Sequence, residues 1–226
     1  MNLGVALRYN EFLDSRAPSD AWLVFLHHDL EFHEDPASVL TKLQPDAIYG
    51  PIGARRIDND SNETARSTSA RSRSSIRTTG EIGCSHDHTA AARTGRRIEE
   101  PQTVDTLDAC CLIVHSSLIV RHGLRFDPDL PWHLYSEDFS LSAWSAHRIP
   151  TRAVQIECGH YGMGNRGITF DDEEFLRSAD YLVRKYKGRA FASTCDRLIK
   201  NRSTIFRQGE KGITAMPKSD AAVAKR

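Results

Sequence analysis

An apolar run, Trp22-Leu23-Val24-Phe25-Leu26, ends abruptly in His27-His28-Asp29. Two imidazoles and a carboxylate leaving a buried strand are donors that a divalent cation takes. Asp29 offers hard oxygen for magnesium or manganese, and a histidine suits manganese better than magnesium. Alone, such a triplet is more often polar punctuation after a strand. A second constellation is Ser136-Glu137-Asp138, preceded by Trp132-His133-Leu134-Tyr135. Adjacent acids at a helix start stabilise the dipole and the orphan amides, or supply a general base at the mouth of a crevice. In Cys158-Gly159-His160, glycine permits a tight turn that can swing His160 back toward a metal held by Asp29. A rival set, Cys84-Ser85-His86-Asp87-His88, places alternate residues on one face of an extended chain and could chelate zinc. It lacks an obvious fourth ligand, so a polar turn is the better reading.

The elements that must position these groups follow from apolar spacing. Val5, Tyr9, Phe12 and Leu13 mark one face of an amphipathic helix, and residues 21–26 form a short continuously apolar strand. Asp35 caps a helix with Pro36 at its first position, running to about Leu43. Residues 47–53 read as a second strand. Residues 54–79 are rich in Arg, Ser, Thr and Asn and poor in apolar side chains, which predicts a long mobile basic loop, either a solvated insertion or a lid over an anionic ligand. Residues 77–85 and 96–102 are candidate hairpin strands, and 104–115 is the strongest strand of the second half. A short helix over 116–122 ends at Gly123. Ser136 is a candidate cap for a helix to His147, with Leu141 and Trp144 facing inward. Residues 153–158 read as a strand. Phe175, Ala179, Leu182, Val183 and Tyr186 define an amphipathic helix, with Thr169 as its cap and Arg184, Lys185 and Lys187 at its end. These elements predict one α/β domain over residues 1–207, with a disordered tail over 208–226. In open α/β sheets ligands gather beyond the carboxyl ends of strands, where His27, His28, Asp29 and His160 would lie.

Bulk properties narrow the function. The 226 residues suffice for a substantial core, and 30 basic residues balance 30 acidic ones, which argues against a dedicated nucleic-acid binder. No run approaches the roughly 20 apolar residues of a membrane span, and no secretory signal opens the chain. Five cysteines without framework spacing fit a reduced, cytoplasmic setting, and Cys110 and Cys111 read as small core residues.

Taken in order, these pieces resemble GT-A fold glycosyltransferases, especially bacterial family 2-like members. The resemblance covers residues 1–187. Phe25-Leu26-His27-His28-Asp29 resembles the strand ending in a DxD-type metal motif, with histidine in place of the first acid. Residues 104–114 resemble the acceptor-side strand. Leu124-Arg125-Phe126-Asp127-Pro128 is similar to a "G-F-D-E" segment, and Tyr135-Ser136-Glu137-Asp138-Phe139-Ser140-Leu141 to an "E-D-x-x-L" helix start. His147-Arg148-Ile149-Pro150 stands where "G-Y-R-V" is usual, and His160 where relatives place a metal-binding histidine.

The resemblance implies a GT-A-like (Rossmann-like) mixed sheet flanked by helices. It implies a hexosyltransferase-like enzyme, working by inverting displacement from a nucleotide-diphosphate sugar onto a glycan or lipid-linked hydroxyl acceptor in surface glycan biosynthesis. Asp29, with His27 or His28, and His160 would hold Mn2+ or Mg2+. His27 is the favoured partner because DxD spacing pairs alternate positions. Asp138 would be the general base, supported by Glu137. Asp105 or Asp108 would orient sugar or acceptor, and Trp132 and Tyr135 would line the substrate site. The basic loop would close over the phosphates. Association would be peripheral, at the inner face of the membrane. Relatives begin with a strand–helix–strand region that grips the nucleotide base, whereas Met1 here leads straight into the helix before the metal-motif strand. That departure implies a missing amino-terminal nucleotide-binding segment and motivates an alternative, a non-catalytic sugar-nucleotide-binding module of the same fold. A third reading, a metal-dependent hydrolase, would set His27, His28, Asp29 and His160 around an activated water.

Overall fold

The computed structural model describes residues 4–57, 75–83, 93–161, 173–194 and 197–199. In chain order its elements are α1 (Val5–Ser15), β1 (Trp22–Leu26), β2 (Leu30–Phe32), α2 (Pro36–Leu40), β3 (Ile48–Gly50), β4 (Ile52–Ile57), β5 (Ser75–Gly83), β6 (Arg93–Arg96) and β7 (Gln102–Val104). Then follow β8 (Thr106–Leu107), β9 (Cys111–His115), α3 (Ser116–His122), α4 (Tyr135–His147), β10 (Thr151–Ala153), β11 (Cys158–His160), α5 (Glu173–Lys185), β12 (Phe191–Ser193) and β13 (Arg197–Ile199).

This is a mixed α/β fold built on two mixed sheets. The first runs β1-β9-β3-β10-β7, with β3 and β10 parallel and the other neighbours antiparallel. The second runs β2-β11-β5-β4-β8, with β6 paired to β5. Alternation along β9 explains the core. Leu112 and Val114 join the larger apolar cluster, which includes Phe25, Phe126, Phe139 and Leu182, while Cys111 and Ile113 face a second cluster around Tyr49, Ile52 and Ile156. Cys110, Cys111 and Cys158 are buried in that second cluster and form no disulfide.

Several expectations hold closely. The helix on Val5 and Tyr9, the strand into His27, the short helix ending at Gly123 (φ 62°) and the amphipathic helix on Phe175, Ala179 and Leu182 all form. The Asp35 carboxylate accepts from the Ala37 amide at 3.0 Å, as an N-cap should, but regular helix stops at Leu40 and a tighter turn carries the chain to Leu43.

Others need correction. The 104–115 run is three strands rather than one, with an aspartate at each break. The Asp105 carboxylate takes the Arg56 amide at 2.7 Å, and that of Asp108 takes the Cys110 amide at 2.9 Å. The 153–158 run is divided between the two sheets. Val154 and Ile156 stay buried, yet β10 pairs with β3 and β7 while β11 pairs with β2 and β5. The 47–53 run breaks at Pro51 into β3 and β4. The basic stretch is partly strand, since β4 continues to Ile57 and β5 starts at Ser75, with Arg55 opposite Arg77. The second hairpin strand falls at 93–96, earlier than expected. Residues 58–74, the Cys84–His88 set, Thr169, Cys195 and the 208–226 tail lie outside the described residues.

Ser136 does not cap α4. Its hydroxyl donates to Glu137 at 2.8 Å from within the first turn, and the cap position falls to Leu134 in the left-handed region (φ 60°). Trp144 faces outward and is 51% exposed, because the inward positions of α4 concentrate in its first six residues.

Candidate functional site

The end of β1 and the end of β11 meet through the second sheet. After β1, the His27 amide bonds the Cys110 carbonyl at 3.0 Å, and a tight turn (Leu30 amide to His27 carbonyl, 3.3 Å) reverses the chain into β2. β2 pairs antiparallel with β11 so that Leu30 faces His160 and Phe32 faces Cys158. The Tyr161 amide then donates to the Asp29 carbonyl at 2.8 Å. This register brings His160 to Asp29 across 131 residues of sequence, at 3.1 Å between Nε2 and Oδ1. His160 Nε2 also lies 3.3 Å from His27 Nδ1. One donor atom each from His27, Asp29 and His160 falls within 4.8 Å of the others, and all three residues are partly buried.

The Tyr135 hydroxyl, 2.9 Å from Nε2, fixes the orientation of His27, and Tyr9, whose hydroxyl donates to the Leu26 carbonyl at 3.1 Å, packs its ring against Tyr135. A carboxylate only accepts, so His160 Nε2–H donates to Asp29, and His27 Nδ1 beside it accepts. The His27 proton is then on Nε2, facing Tyr135. Nδ1 is left with its lone pair facing Asp29 and His160. That is the ligating form of imidazole, with its other nitrogen anchored as metal-binding histidines require. Burial acts in the same sense by pushing the His27 pKa down, which favours the neutral ring, while the nearby Asp108 charge partly opposes it. The His160 Nε2–H faces two acceptors at once, so a proton stands where a cation would be shared.

The donor set fits a divalent ion. Two nitrogens and one carboxylate oxygen, with positions left open, suit Mn2+, Zn2+ or Fe2+ better than Mg2+, which prefers oxygen. His28 is exposed and stands outside the group.

α1 and α4 build this corner together. Tyr9 packs its ring against Phe25, Phe126 and Tyr135 at centroid distances of 4.7, 5.1 and 6.1 Å. Asn10 clamps the Phe126 backbone through both its amide and carbonyl, at 2.8 and 2.9 Å. Phe126 in turn stacks on Phe139 of α4 at 4.4 Å. Tyr135 is buried behind His27 rather than lining an open crevice.

The paired acids sit elsewhere. Glu137 is 5% exposed and accepts from Ser136 and Ser193, each at 2.8 Å, and burial pushes its carboxyl up to about 7. Asp138 is 1% exposed. Lys185 reaches it from α5 at 2.8 Å and Tyr186 donates to it at 2.8 Å, while burial raises its carboxyl against the pull of Lys185. Lys185 bridges onward to Asp127 at 2.5 Å, and the Tyr181 hydroxyl joins Asp127 at 2.8 Å. So both acids of the Glu-Asp pair are held in partnered, buried positions. Asp108 is tied to Thr194 at 2.6 Å and to the Cys110 amide, close enough to bear on His27. Asp105 lies at a different cavity, and Trp132 is 37% exposed on the segment before α4. Sequence reasoning missed Tyr9, Lys185, Tyr186, Ser193 and Thr194 as partners of these groups. Only the basic end of α5, with Arg184, Lys185 and Lys187, carries a signal in the sequence.

Compared with known proteins, the chain matches no protein-family model and no curated protein. No helix among the described residues is long and apolar enough to cross a membrane.

Proposed function

We propose that the chain is a metal-dependent transferase of GT-A-like fold that moves a sugar from a nucleotide-diphosphate donor to a hydroxyl acceptor, with His27, Asp29 and His160 holding the ion. The carrying observation is the convergence of three residues, spread over 133 positions, to within 4.8 Å of one another. They are the residues that the motif order singles out for a metal. The two nitrogens make Mn2+ the favoured ion over Mg2+. When bound, it supplies Lewis-acid stabilisation of charge growing on the leaving diphosphate. Within the chain, Tyr135 holds His27 in its ligating tautomer, and Asp29 supplies the negative charge of the site. Asp138 is the proposed base for the acceptor hydroxyl, and it must part from Lys185 and Tyr186 to act. The proposed setting is cytoplasmic, with a glycan or lipid-linked acceptor.

The buried, fully engaged state of Asp138 and Glu137 favours a second reading, a sugar-nucleotide-binding module without turnover. Donor-hydrolysis and transfer assays with Mn2+, on wild type, Asp29→Ala and Asp138→Asn, separate the two. Transfer lost in both variants supports the transferase. Calorimetric donor binding without turnover in the wild type supports the module. Turnover unchanged in both variants overturns the residue assignments, and Mn2+-dependent hydrolysis of simple phosphate esters without any nucleotide would mark a hydrolase instead.

A further inference from the structure

A second cavity, of about 500 Å3, opens between β4, β7, the later half of α4, β10 and the segment entering β12. It is remote from the metal corner. Trp144 lies nine residues along α4 from Tyr135, which is roughly 14 Å of helix. Arg55, Arg56 and Arg189 line it against a single carboxylate among the described lining residues, Asp105, whose Oδ2 is already committed to the Arg56 amide. Neither Arg55 nor Arg189 has an ion-pair partner among the described residues. Trp144 adds an indole that is half exposed, with the Arg148 guanidinium 5.5 Å from its ring centroid.

Thr151 supplies the independent observation. It is 3% exposed on β10, it forms part of the cavity wall, and its Oγ1 is buried without a hydrogen-bond partner. Buried hydroxyls are nearly always satisfied, and an orphaned one is a standing penalty that a ligand atom can relieve. Guanidinium groups recognise phosphate through paired, charge-assisted hydrogen bonds, and an exposed indole stacks on a ring.

We infer that this cavity is a binding site for a phosphate ester carried on a ring, with Arg55 and Arg189 on the phosphate, Thr151 on one of its oxygens and Trp144 against the ring. The shared chemistry is the phosphate ester, and its ring can come from a nucleoside or from a sugar. The site is independent of the metal centre and of the transferase reading.

Calorimetry on the full chain in EDTA tests this, with uridine monophosphate, glucose 6-phosphate, inorganic phosphate and uridine as probes. One or both esters should bind at one site per chain, at least tenfold tighter than inorganic phosphate, and uridine should not saturate. The tighter ester identifies the source of the ring. Arg55→Ala/Arg189→Ala should weaken the ester at least tenfold, and Trp144→Ala should reduce it toward inorganic phosphate. These side chains are exposed, so the variants should melt like the wild type. Thr151→Val should weaken binding while melting no lower than the wild type, a combination that a merely structural threonine would not give. Asp29→Ala should bind the ester as the wild type does. The inference is overturned if neither ester saturates, if the double arginine variant binds normally, if inorganic phosphate binds as tightly as both esters, or if Asp29→Ala abolishes binding.

Discussion

The Tyr135 hydroxyl lies 2.9 Å from Nε2 of His27, and Tyr135 is almost wholly buried. The contact decides which imidazole nitrogen faces Asp29 and His160. It places a residue from the first turn of α4 in control of a group at the end of β1.

Metal affinity should therefore depend on a residue that never touches the ion. Tyr135→Phe should weaken Mn2+ binding by about 10- to 100-fold, the usual range for an orienting partner. Asp29→Ala and His160→Ala should abolish specific binding, and His28→Ala should leave it unchanged. Titration followed by the electron paramagnetic resonance of free Mn2+ reads all four. Equal affinity in wild type and Tyr135→Phe would remove the orienting role.

Glu137 makes stability fall as pH rises through the neutral range. Its carboxyl goes from an ordinary 4.5 to about 7 in the fold, so the native state holds a proton that the unfolded chain releases between those values. The contribution is complete below about pH 4.5 and is lost progressively up to about pH 7. It amounts to roughly 3 kcal/mol at 1.36 kcal/mol per pH unit. The lowered pKa of His27 works in the opposite direction, since the unfolded chain takes up that proton first as pH falls below 6.5. The difference between wild type and Glu137→Gln isolates the carboxyl. Urea denaturation from pH 5 to 8 should show the variant losing less stability with rising pH and overtaking the wild type at the alkaline end. Parallel curves would refute the buried proton.

Lys185 is the cation that makes Asp138 tolerable in the interior. Lys185→Met removes the partner of a carboxylate that is 1% exposed and strips Asp127 as well. Breaking a buried pair from one side costs about 3–5 kcal/mol, and partial exposure of the ammonium favours the lower end, roughly 3 kcal/mol. Lys185→Met/Asp138→Asn should recover part of that loss, because the most buried unpaired charge is removed while Asp127 keeps the Tyr181 hydroxyl and the Asp129 amide. Chemical denaturation of the double-mutant cycle gives the coupling, and additive losses would mean that the pair does not interact.

The hydroxyl of Thr151 is a local liability in the unliganded protein. Thr151→Val keeps the shape and removes the unsatisfied atom, so it should raise stability by about 1 kcal/mol. Thermal melting in phosphate-free buffer checks it, and a clear loss of stability would show that the hydroxyl has a structural partner.

Local elements whose side-chain pattern is self-sufficient are legible from residue order alone. Apolar spacing was enough for α1 and α5, and continuous apolarity for β1. Gly123 and Asp35 marked a helix end and a helix start, because capping is chemistry between near neighbours. Asp29 and His160 were legible as a pair of donors through motif order. Their approach to 3.1 Å was decided by the antiparallel register of β2 and β11, a contact between distant segments that no local window contains. Likewise, adjacent acids at a helix start look alike whether they face water or a core. Tertiary packing decided that Glu137 and Asp138 turn inward, toward Ser193, Lys185 and Tyr186. Burial is set by what the rest of the chain folds over a residue, and that is also why Trp144 lies open at the second cavity while Tyr135 is sealed behind His27.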